Sequence, residues 1–463
     1  MSVQRQLRDG LPEARFIAGP AEGGDETRDL CRYPTGEALL WVRPESSQEV
    51  AYVLKTAAES ATPVVAVGAR TAYWWPLRYD KAIALDTSGL LTLESPSDPA
   101  EPVWVGAGVS VRDLDEHLRA RGMTLPCHPD AYGDTSVASM VATGFTSGCG
   151  VGASDLASLV AGLKVVLGTG EVLTCGASSA LGAAPFLRGG LPDPTSLFFA
   201  SDGGLGVITE VAVRPQRACS LARLTWTLPA NTAGLLAHGK TAEALRSRGL
   251  YETLRAVQRW DRGGETPITE VDLILRGVTG EPELTERVAH ATEVIRATAG
   301  VEPECRERES PGDDARVTRW AGEPGGAWRE LGGLHLAGVD VNLAYGDLAA
   351  TLELSDGILE EARGLPWLSL RRALYGAHDH LNLGLHFALE APPGAPTPGA
   401  HELVARSLER LSALDVVPYR WGRLWGAALE EKLDPTYLRV VRAMKATCDP
   451  AGILHPGASL WGA

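Results

Sequence analysis

A glycine-rich run between Gly133 and Gly176 limits the folds open to this chain more than any other part of it. It reads GDTSVASMVATGFTSGCGVGASDLASLVAGLKVVLGTGEVLTCG, small residues followed by an apolar strand, a tight turn and a second strand. Glycines let the backbone approach a ligand closely and adopt positive φ, while serine and threonine hydroxyls add hydrogen bonds without bulk. The run is unlike a helical core and predicts a cradle for an extended ligand that carries phosphate.

Length and charge narrow the class of protein. A chain of 463 residues is larger than one hydrophobic core usually supports, so two or three domains are expected. The 43 Lys and Arg residues against 58 Asp and Glu residues give a net charge of −15. A negative field of this size opposes binding to nucleic acid and to anionic membranes. The expected partner is a small-molecule substrate, and the oligomeric state stays open.

The sequence shows no targeting segment and no cysteine pattern typical of disulfides or zinc sites. The N-terminus has no apolar run of the signal-peptide kind, and no apolar stretch of transmembrane length occurs, so a cytoplasmic location is expected. The seven cysteines are scattered singly without a CxxC pair. Neither a disulfide framework nor a structural zinc site is therefore predicted.

Strand and helix patterns alternate from about residue 40 to residue 215. Ser46 and Glu49 form a capping-box pattern before an apolar helix, and Ser110 and Asp113 do the same before a second helix. Residues 162–173 read as a β-hairpin whose turn is Gly168-Thr169-Gly170. This alternation predicts an α+β or α/β domain.

The pattern changes after residue 216. We predict helices over 240–259 and 281–298 and a strand over 272–278. Residues 304–316 read as a charged loop, and 401–414 as an amphipathic helix.

Three glycine-rich loops follow one another along the first part of the chain, at 67–73, 133–152 and 201–208. The first places Gly68 directly after a β-branched strand, where consecutive backbone N–H groups can face one anion. It is neither GxGxxG at the start of a helix nor GxxxxGK[ST]. A Rossmann dinucleotide site and a Walker loop are therefore disfavoured.

The order of these motifs resembles the FAD-binding domain of the vanillyl-alcohol oxidase and p-cresol methylhydroxylase superfamily. The matching segments are VGARTAY, VWVGAGVSVRDLDEHLRARGMTLP, SVASMVATGFTSG with GLKVVLGTGEVL, DPTSLFFASDGGLGVITEVAVRP and the tail MKATCDPAGILHPG. The resemblance implies an α+β fold, with a two-subdomain FAD-binding domain of the PCMH type and an α/β cap domain whose antiparallel sheet covers the flavin. It implies an FAD-binding domain over 1–218, a cap over 219–418, and a C-terminal return over 419–463 that completes the first domain.

The resemblance also implies which residues hold FAD. The pyrophosphate, the isoalloxazine and the adenine would be held by Gly68, Ala69, Arg70, Thr71, Ala72, Pro129, Ser136, Val137, Thr143, Gly144, Ser147, Gly206 and Ile208. The chain departs from the family where Arg70 replaces a usual glycine and where Ala138-Ser139 replaces a glycine pair. Thr71 and Tyr132 stand where covalent members carry a histidine and a cysteine, so non-covalent FAD is expected. A single link through a histidine of the cap stays open.

A flavin enzyme needs groups that accept the donor's proton and hold the resulting anion. By resemblance, Asp130 lies beside the flavin as a base or as a tuning charge, although a plain Pro-Asp turn is equally compatible with the sequence. Read as one strand, 373–390 places His378, His380, Asn382 and His386 on one face, which the resemblance turns toward the flavin. A solvent-exposed sheet face is the alternative for these residues.

The segment after residue 416 offers fixed positive charge. Tyr419 with Arg420 resembles the phenolate-binding pair of one branch of the family, and Arg423 resembles the cation near the flavin of sugar-lactone oxidases. Surface arginines that cover tryptophans are the alternative. The GDGNLH and EHG motifs of metal-binding relatives are missing, so no metal is expected.

The sequence thus predicts an FAD-dependent oxidase or dehydrogenase of a small organic alcohol, hydroxy acid or phenol, reoxidised by oxygen or another acceptor. Asp130 and a cap histidine would handle protons while Arg420 or Arg423 stabilises the anion. An FAD-binding accessory subunit or scaffold without its own turnover is the alternative. Non-redox flavin chemistry of the alkyl-glycerone-phosphate synthase kind would require a basic phosphate pocket, which the sequence does not indicate.

Overall fold

The computed structural model describes most of the chain. The described residues are 2–19, 36–68, 80–96, 98, 101–125, 133, 135–144, 156–180, 183–186, 188, 192–250, 253–263, 267–309, 334–376, 380–391, 395–419 and 430–456. The α-helices within them are α1 (Val3–Gly10), α2 (Ser47–Glu59), α3 (Val111–Arg119), α4 (Val137–Ala142), α5 (Leu156–Leu159), α6 (Thr232–Arg246), α7 (Glu281–Ala299), α8 (Leu348–Ala362), α9 (Ala400–Ser412) and α10 (Pro435–Cys448).

The strands form two small sheets near the N-terminus, a short pair and one large sheet. They are β1 (Phe16–Ile17), β2 (Leu40–Val42), β3 (Val64–Val67), β4 (Ile83–Asp86), β5 (Val103–Gly106), β6 (Met123–Thr124), β7 (Val160–Val166), β8 (Val172–Thr174), β9 (Val207–Val213), β10 (Gln216–Arg217), β11 (Ser220–Pro229), β12 (Thr253–Asp261), β13 (Ile268–Gly277), β14 (Glu304–Glu309), β15 (Leu334–Leu343), β16 (Trp367–Gly376), β17 (Leu381–Glu390) and β18 (Val416–Pro418).

The first unit combines two four-stranded sheets, in the orders β1-β2-β4-β3 and β5-β9-β7-β8. Strands β2, β4 and β3 run parallel, as expected for strands joined through the helix α2, while β5, β9, β7 and β8 pair antiparallel. Leu54, Ile83, Leu114, Leu163 and Val211 belong to one buried cluster. The two sheets therefore share a single hydrophobic core, and the predicted α+β fold is confirmed.

Both predicted helix starts are confirmed by their side-chain caps. Ser46 Oγ accepts the Glu49 N–H at 3.2 Å, and Ser110 Oγ accepts the Asp113 N–H at 3.0 Å. The Glu49 carboxylate accepts from the Glu45 N–H at 2.7 Å and from Arg15, so its contacts reach the residue before the N-cap. The helix α2 is thereby tied to the segment that leads into it.

The second unit is an eight-stranded antiparallel sheet, which we call the cap sheet, in the order β14-β11-β13-β12-β16-β17-β15-β18. The helices α6, α7, α8 and α9 pack on it. Alternate residues of its strands join these helices in one buried cluster, with Leu224, Leu273, Val341, Leu374 and Leu383 as examples. One face of the cap sheet is therefore an ordinary apolar core.

Three element predictions for this unit are wrong. The helix predicted over 240–259 is instead α6 followed by β12, because Leu254, Ala256 and Gln258 alternate inward with period two. The first part of the charged loop predicted over 304–316 is the edge strand β14, and the rest lies outside the described residues. The single strand predicted over 373–390 is the end of β16 followed by β17.

The C-terminal segment returns to the first unit. The Val64 N–H donates to the Ile453 carbonyl at 2.8 Å, and Val64 and Leu454 form a parallel bridge beside β3. The side chain of His455 accepts the Ala66 N–H at 2.9 Å. The last described residues therefore extend the sheet that ends at Gly68. Across the described part of the chain, no helix combines the length and apolarity needed to cross a bilayer.

Candidate functional site

The carboxyl end of β3 meets the start of α4 with no room for a side chain. A Cβ atom on Gly68 would lie 2.1 Å from Ser139 Oγ. Ser136 Oγ donates to that same Ser139 Oγ at 2.8 Å and so fixes its position. A Cβ atom at Gly68 would displace the Ser139 hydroxyl, and the first two glycine-rich segments are in direct contact here.

The third glycine-rich segment packs on the other end of α4. Gly144 adopts φ of +66°, and a Cβ atom on it would lie 2.5 Å from the Cβ of Ala200. Ala200 and Asp202 both have positive φ, which is uncommon for residues other than glycine. The Asp202 N–H donates to the Ala142 carbonyl at 2.9 Å. All three segments therefore converge on the short helix α4.

A buried lysine connects the third segment to the C-terminal return. Lys445 Nζ donates to the Gly204 carbonyl at 2.8 Å, to the Leu454 carbonyl at 3.0 Å and to Asp449 Oδ2 at 2.5 Å. Burial lowers the pKa of Lys445, and the hydrogen bond to Asp449 opposes that shift. Asp449 also accepts from the Ile453 N–H at 3.1 Å and is 2% exposed. This buried ion pair fixes the loop that leads to Gly206.

The structure places seven of the residues predicted to hold the cofactor. Gly68, Ser136, Val137, Thr143 and Gly144 lie where β3 and α4 meet or at the end of α4, and Gly206 and Ile208 lie at the start of β9. The side chains of Val137 and Ile208 are buried in the hydrophobic core, so any ligand contact from them involves the backbone. Ala69, Arg70, Thr71, Ala72, Pro129 and Ser147 lie outside the described residues.

The second face of the cap sheet, opposite the helices, is polar and buried. It carries Asp272, Asp340, Tyr375, Asn382 and His386, and we call it the polar face. Asp272, Asp340, Tyr375 and Asn382 are each less than 10% exposed. The predicted alternation of Asn382, Gly384 and His386 against Leu381, Leu383 and Leu385 is confirmed. The alternative of a solvent-exposed sheet face is wrong for these residues.

One end of the polar face contacts β10, the short strand that pairs with β6. On β13, Arg276 lies on the same side as Asp272, four residues along the strand. Its Nη1 donates to Gln216 Oε1 on β10 at 2.6 Å. A buried surface that is rich in hydrogen-bonding groups is a favourable place for a ligand.

A carboxylate and a histidine form a pair on this face, on the strands β15 and β17 near the β18 edge of the sheet. His386 Nε2 lies 3.2 Å from Asp340 Oδ1, and the two residues belong to adjacent strands. A Cβ atom on Gly384 would lie 2.3 Å from Asp340 Oδ1 and 2.7 Å from His386 Nε2. The pair therefore lies directly over Gly384, and a side chain at this position would displace Asp340 or His386. Asp340 Oδ2 is buried and has no hydrogen-bond partner.

The polar face also carries arginines, and one of them lies next to this pair. Arg371 lies opposite His386 in the β16–β17 register, and its Nη2 donates to the Tyr375 hydroxyl at 3.3 Å. Further along the face, Arg223 Nη2 donates to Asp272 Oδ1 at 2.8 Å and Arg255 Nη2 donates to Asp272 Oδ2 at 3.5 Å. The face therefore combines hydrogen-bond acceptors, a phenol and fixed positive charge within one buried surface.

The predicted catalytic residues are only partly described. Tyr419 follows β18, and its N–H donates to the Asp340 carbonyl at 3.1 Å, so this segment enters the site beside Asp340. His380 is half-buried and directly precedes β17. Asp130, His378, Arg420 and Arg423 lie outside the described residues. No group of three or more potential metal ligands occurs among the residues that the structure describes.

Sequence reasoning missed Asp340, Arg371 and Tyr375. A signal for Asp340 existed, because LHLAGVDVNL alternates apolar and small or polar residues with period two. That pattern indicates a strand with Asp340 and Asn342 on one face. Their pairing with β17 joins segments about 40 residues apart and could not be derived from local pattern.

Comparison with known proteins supports FAD as the cofactor of the first unit. Residues 38–176 match a family described as an FAD binding domain. D-lactate dehydrogenase of Archaeoglobus fulgidus is 28% identical over 191 residues, covering 41% of each chain. D-2-hydroxyglutarate dehydrogenase of Xanthomonas citri pv. viticola is 27% identical over 214 residues, covering 45% of this chain and 43% of that protein. The matched segment spans less than half the length of these relatives.

Solved structures match the whole architecture. The 4-ethylphenol oxidase of Gulosibacter chungangensis superposes with a TM-score of 0.81 at 16% identity, covering 99% of this chain and 97% of the other. A p-cresol methylhydroxylase superposes with a TM-score of 0.78 at 11% identity, covering 99% and 96%. At these identities the likeness establishes a shared fold, including the cap sheet.

The described residues fit an extended dinucleotide with a pyrophosphate. Gly68 and Gly144 bring backbone to within contact of neighbouring segments, and a Cβ atom on Gly206 would lie 2.5 Å from Val165 Cγ1. Ser136 and Thr143 add hydroxyls at the two ends of α4. Small residues, closely approaching backbone and hydroxyl groups are what a buried pyrophosphate requires.

Proposed function

We propose that this chain is an FAD-dependent oxidoreductase of the superfamily that includes vanillyl-alcohol oxidase and p-cresol methylhydroxylase, and that it oxidises a small organic alcohol, hydroxy acid or phenol. Bound FAD supplies the acceptor for a hydride from the donor carbon. We also propose that oxygen or another acceptor reoxidises the reduced flavin. One observation supports it: the cap sheet has a buried polar face, and Arg276 at one end of that face donates to Gln216 on β10, beside the FAD-binding unit.

The residues of this chain have separate tasks in the proposed reaction. Gly68, Ser136 and Gly144 hold the cofactor from the first unit. Arg371, Arg420 and Arg423 offer fixed positive charge to a donor or product that carries negative charge, as an anion-binding group must. Burial of the polar face excludes water and strengthens these electrostatic contacts.

The relatives motivate the donor classes to be tested. Dehydrogenases of D-lactate and D-2-hydroxyglutarate act on hydroxy acids, and the 4-ethylphenol oxidase acts on a phenol, as their names state. Arg371 beside Tyr375 suits either a carboxylate or a phenolate. We therefore propose a donor with one acidic or anionic group and one oxidisable carbon.

Anaerobic mixing of the purified FAD protein with a panel of hydroxy acids, phenols, sugars, lactones and simple alcohols tests the proposal. The visible absorbance of the flavin is expected to bleach with at least one donor class and to return on admission of oxygen or an artificial acceptor. Reduction by none of them, in a protein that retains FAD, would contradict the proposal and favour an accessory subunit without turnover.

We also propose that FAD is bound non-covalently, because Thr71 and Tyr132 occupy the positions of the covalent attachment residues in the resemblance. Acid precipitation of the holoprotein is expected to release the flavin into the supernatant. Flavin that stays with the pellet would identify a covalent link, with His380 and His386 as candidate attachment residues on the cap.

A further inference from the structure

We propose that Asp340 is a catalytic residue that accepts the hydrogen bond, and then the proton, of the donor hydroxyl, with His386 as its positioning residue; this rests on the proposed function. The carboxylate is 8% exposed. Its Oδ1 faces His386 Nε2 at 3.2 Å, while Oδ2 is buried without a hydrogen-bond partner. An unpaired buried acceptor is costly, and a ligand hydroxyl removes that cost by donating to it.

Asp272, a second carboxylate on the same face, has the hydrogen-bonding pattern of a structural residue. Both oxygens of Asp272 are paired, Oδ1 with Arg223 and Oδ2 with Arg255. Asp340 has a single histidine partner and one oxygen unused, although it is almost as deeply buried. The difference between the two carboxylates points to a second, exchangeable partner for Asp340.

The surroundings of Asp340 are those of a binding site. Its own backbone carbonyl accepts the Tyr419 N–H at 3.1 Å, which places Tyr419 beside it. Arg371 lies opposite His386 on the next strand. A donor with an acidic group can therefore contact Arg371 while its hydroxyl faces Asp340.

The proposed step balances as an alcohol oxidation. The donor O–H bond breaks and its proton passes to Asp340 Oδ2, while the donor C–H hydrogen would leave with its electron pair as a hydride, which bound FAD would accept. A carbonyl product remains. In this step the His386 Nε2–H donates to Oδ1, 3.2 Å away, and so holds the carboxylate with Oδ2 free to accept from the donor.

Gly384 allows the pair to be disturbed without changing either member. In Gly384→Ala the new methyl group would lie 2.3 Å from Asp340 Oδ1 and 2.7 Å from His386 Nε2, so the two side chains must separate. Gly357 is the matched control: it lies in α8, and a Cβ atom on it meets nothing within 4 Å. Gly357→Ala is expected to leave the reduction rate unchanged.

Stopped-flow reduction of the FAD protein by its best donor is the first measurement. Asp340→Asn is expected to lower the reduction rate constant by about 10² to 10⁴-fold, the usual contribution of a positioned acid or base. Gly384→Ala is expected to lower it by about tenfold or more. A rate for Asp340→Asn close to that of the wild type overturns the inference, and loss of rate in Asp130→Asn alone would assign the proton to Asp130.

Nitrogen-15 NMR of the histidine rings gives a readout that needs no turnover. The signal of His386, assigned as the one missing from His386→Gln, is expected to shift in Asp340→Asn and in Gly384→Ala and to stay unchanged in Gly357→Ala. An unchanged His386 signal in Asp340→Asn overturns the pair itself. A wild type that no donor reduces overturns the proposed function, whereas a reducible wild type with a normal Asp340→Asn overturns only this inference.

Discussion

Replacement of Lys445 by methionine tests whether the C-terminal return fixes the third glycine-rich loop. Lys445 Nζ has three partners within 3.0 Å, namely the carbonyls of Gly204 and Leu454 and the carboxylate of Asp449. Lys445 and Asp449 are 9% and 2% exposed, so water does not replace the lost partners readily. The substitution leaves a buried carboxylate that keeps only backbone donors.

The expected cost follows from that unpaired charge. Removing one partner of a buried ion pair typically costs about 3 to 5 kcal/mol of unfolding free energy. For a unit of this size the melting temperature is expected to fall by on the order of 10 °C. Because Gly204 precedes Gly206 in the loop, FAD affinity is expected to fall as well. Urea unfolding and fluorimetric titration with FAD measure the two effects.

Two further variants make the reasoning refutable. Lys240→Met, at an exposed position of the helix α6, is the matched control and is expected to change stability by less than about 0.5 kcal/mol. The double variant Lys445→Met with Asp449→Asn removes the charge left behind and is expected to recover part of the loss. A Lys445→Met protein within about 1 kcal/mol of the wild type would contradict the account of this ion pair.

Three other substitutions have expected outcomes. Burial lowers the pKa of His238 to about 3, so the folded state resists protonation of this ring and the unfolding free energy falls as the pH drops below the ordinary pKa of 6.5. His238→Phe is expected to remove about 2 kcal/mol of the stability loss that urea unfolding measures between pH ~7.5 and ~5. Equal pH dependence of stability in the variant and the wild type would contradict this. Arg372→Met leaves the buried Gln258 Oε1 without its hydrogen-bond donor and is expected to lower the unfolding free energy by about 3 kcal/mol. An unchanged unfolding free energy in the same assay would show that this hydrogen bond is dispensable. Gly68→Ala displaces Ser139 Oγ and should weaken FAD binding about tenfold, with partial recovery on adding Ser139→Ala; unchanged affinity would remove Gly68 from the cradle.

Much of the first unit could be predicted because its signals are local. The Ser46 and Ser110 caps, the hairpin at 162–173 and the glycines that end strands each depend on a few neighbouring residues. Gly68 and Gly144 were identified by type and spacing, and the structure shows a close backbone approach at each. The physical requirement and the sequence signal coincide there.

The cap was harder to predict because its site depends on strand pairing. The alternation of Asn382, Gly384 and His386 gave the polar face of β17 correctly. Asp340 comes from β15, which pairs with β17 across about 40 residues and through no local signal. The helix predicted over 240–259 was wrong because tertiary pairing of β12 between two strands overrides the helical propensity of its residues.

The most direct test of the central claim is the kinetic isotope effect on anaerobic flavin reduction. The donor identified by the panel is prepared with deuterium on its oxidisable carbon and mixed with the FAD protein in the absence of oxygen. If this chain oxidises the donor by hydride transfer to its own FAD, the visible absorbance will bleach more slowly with the deuterated donor. No bleaching with any donor, or bleaching that no donor substitution slows, would contradict the account.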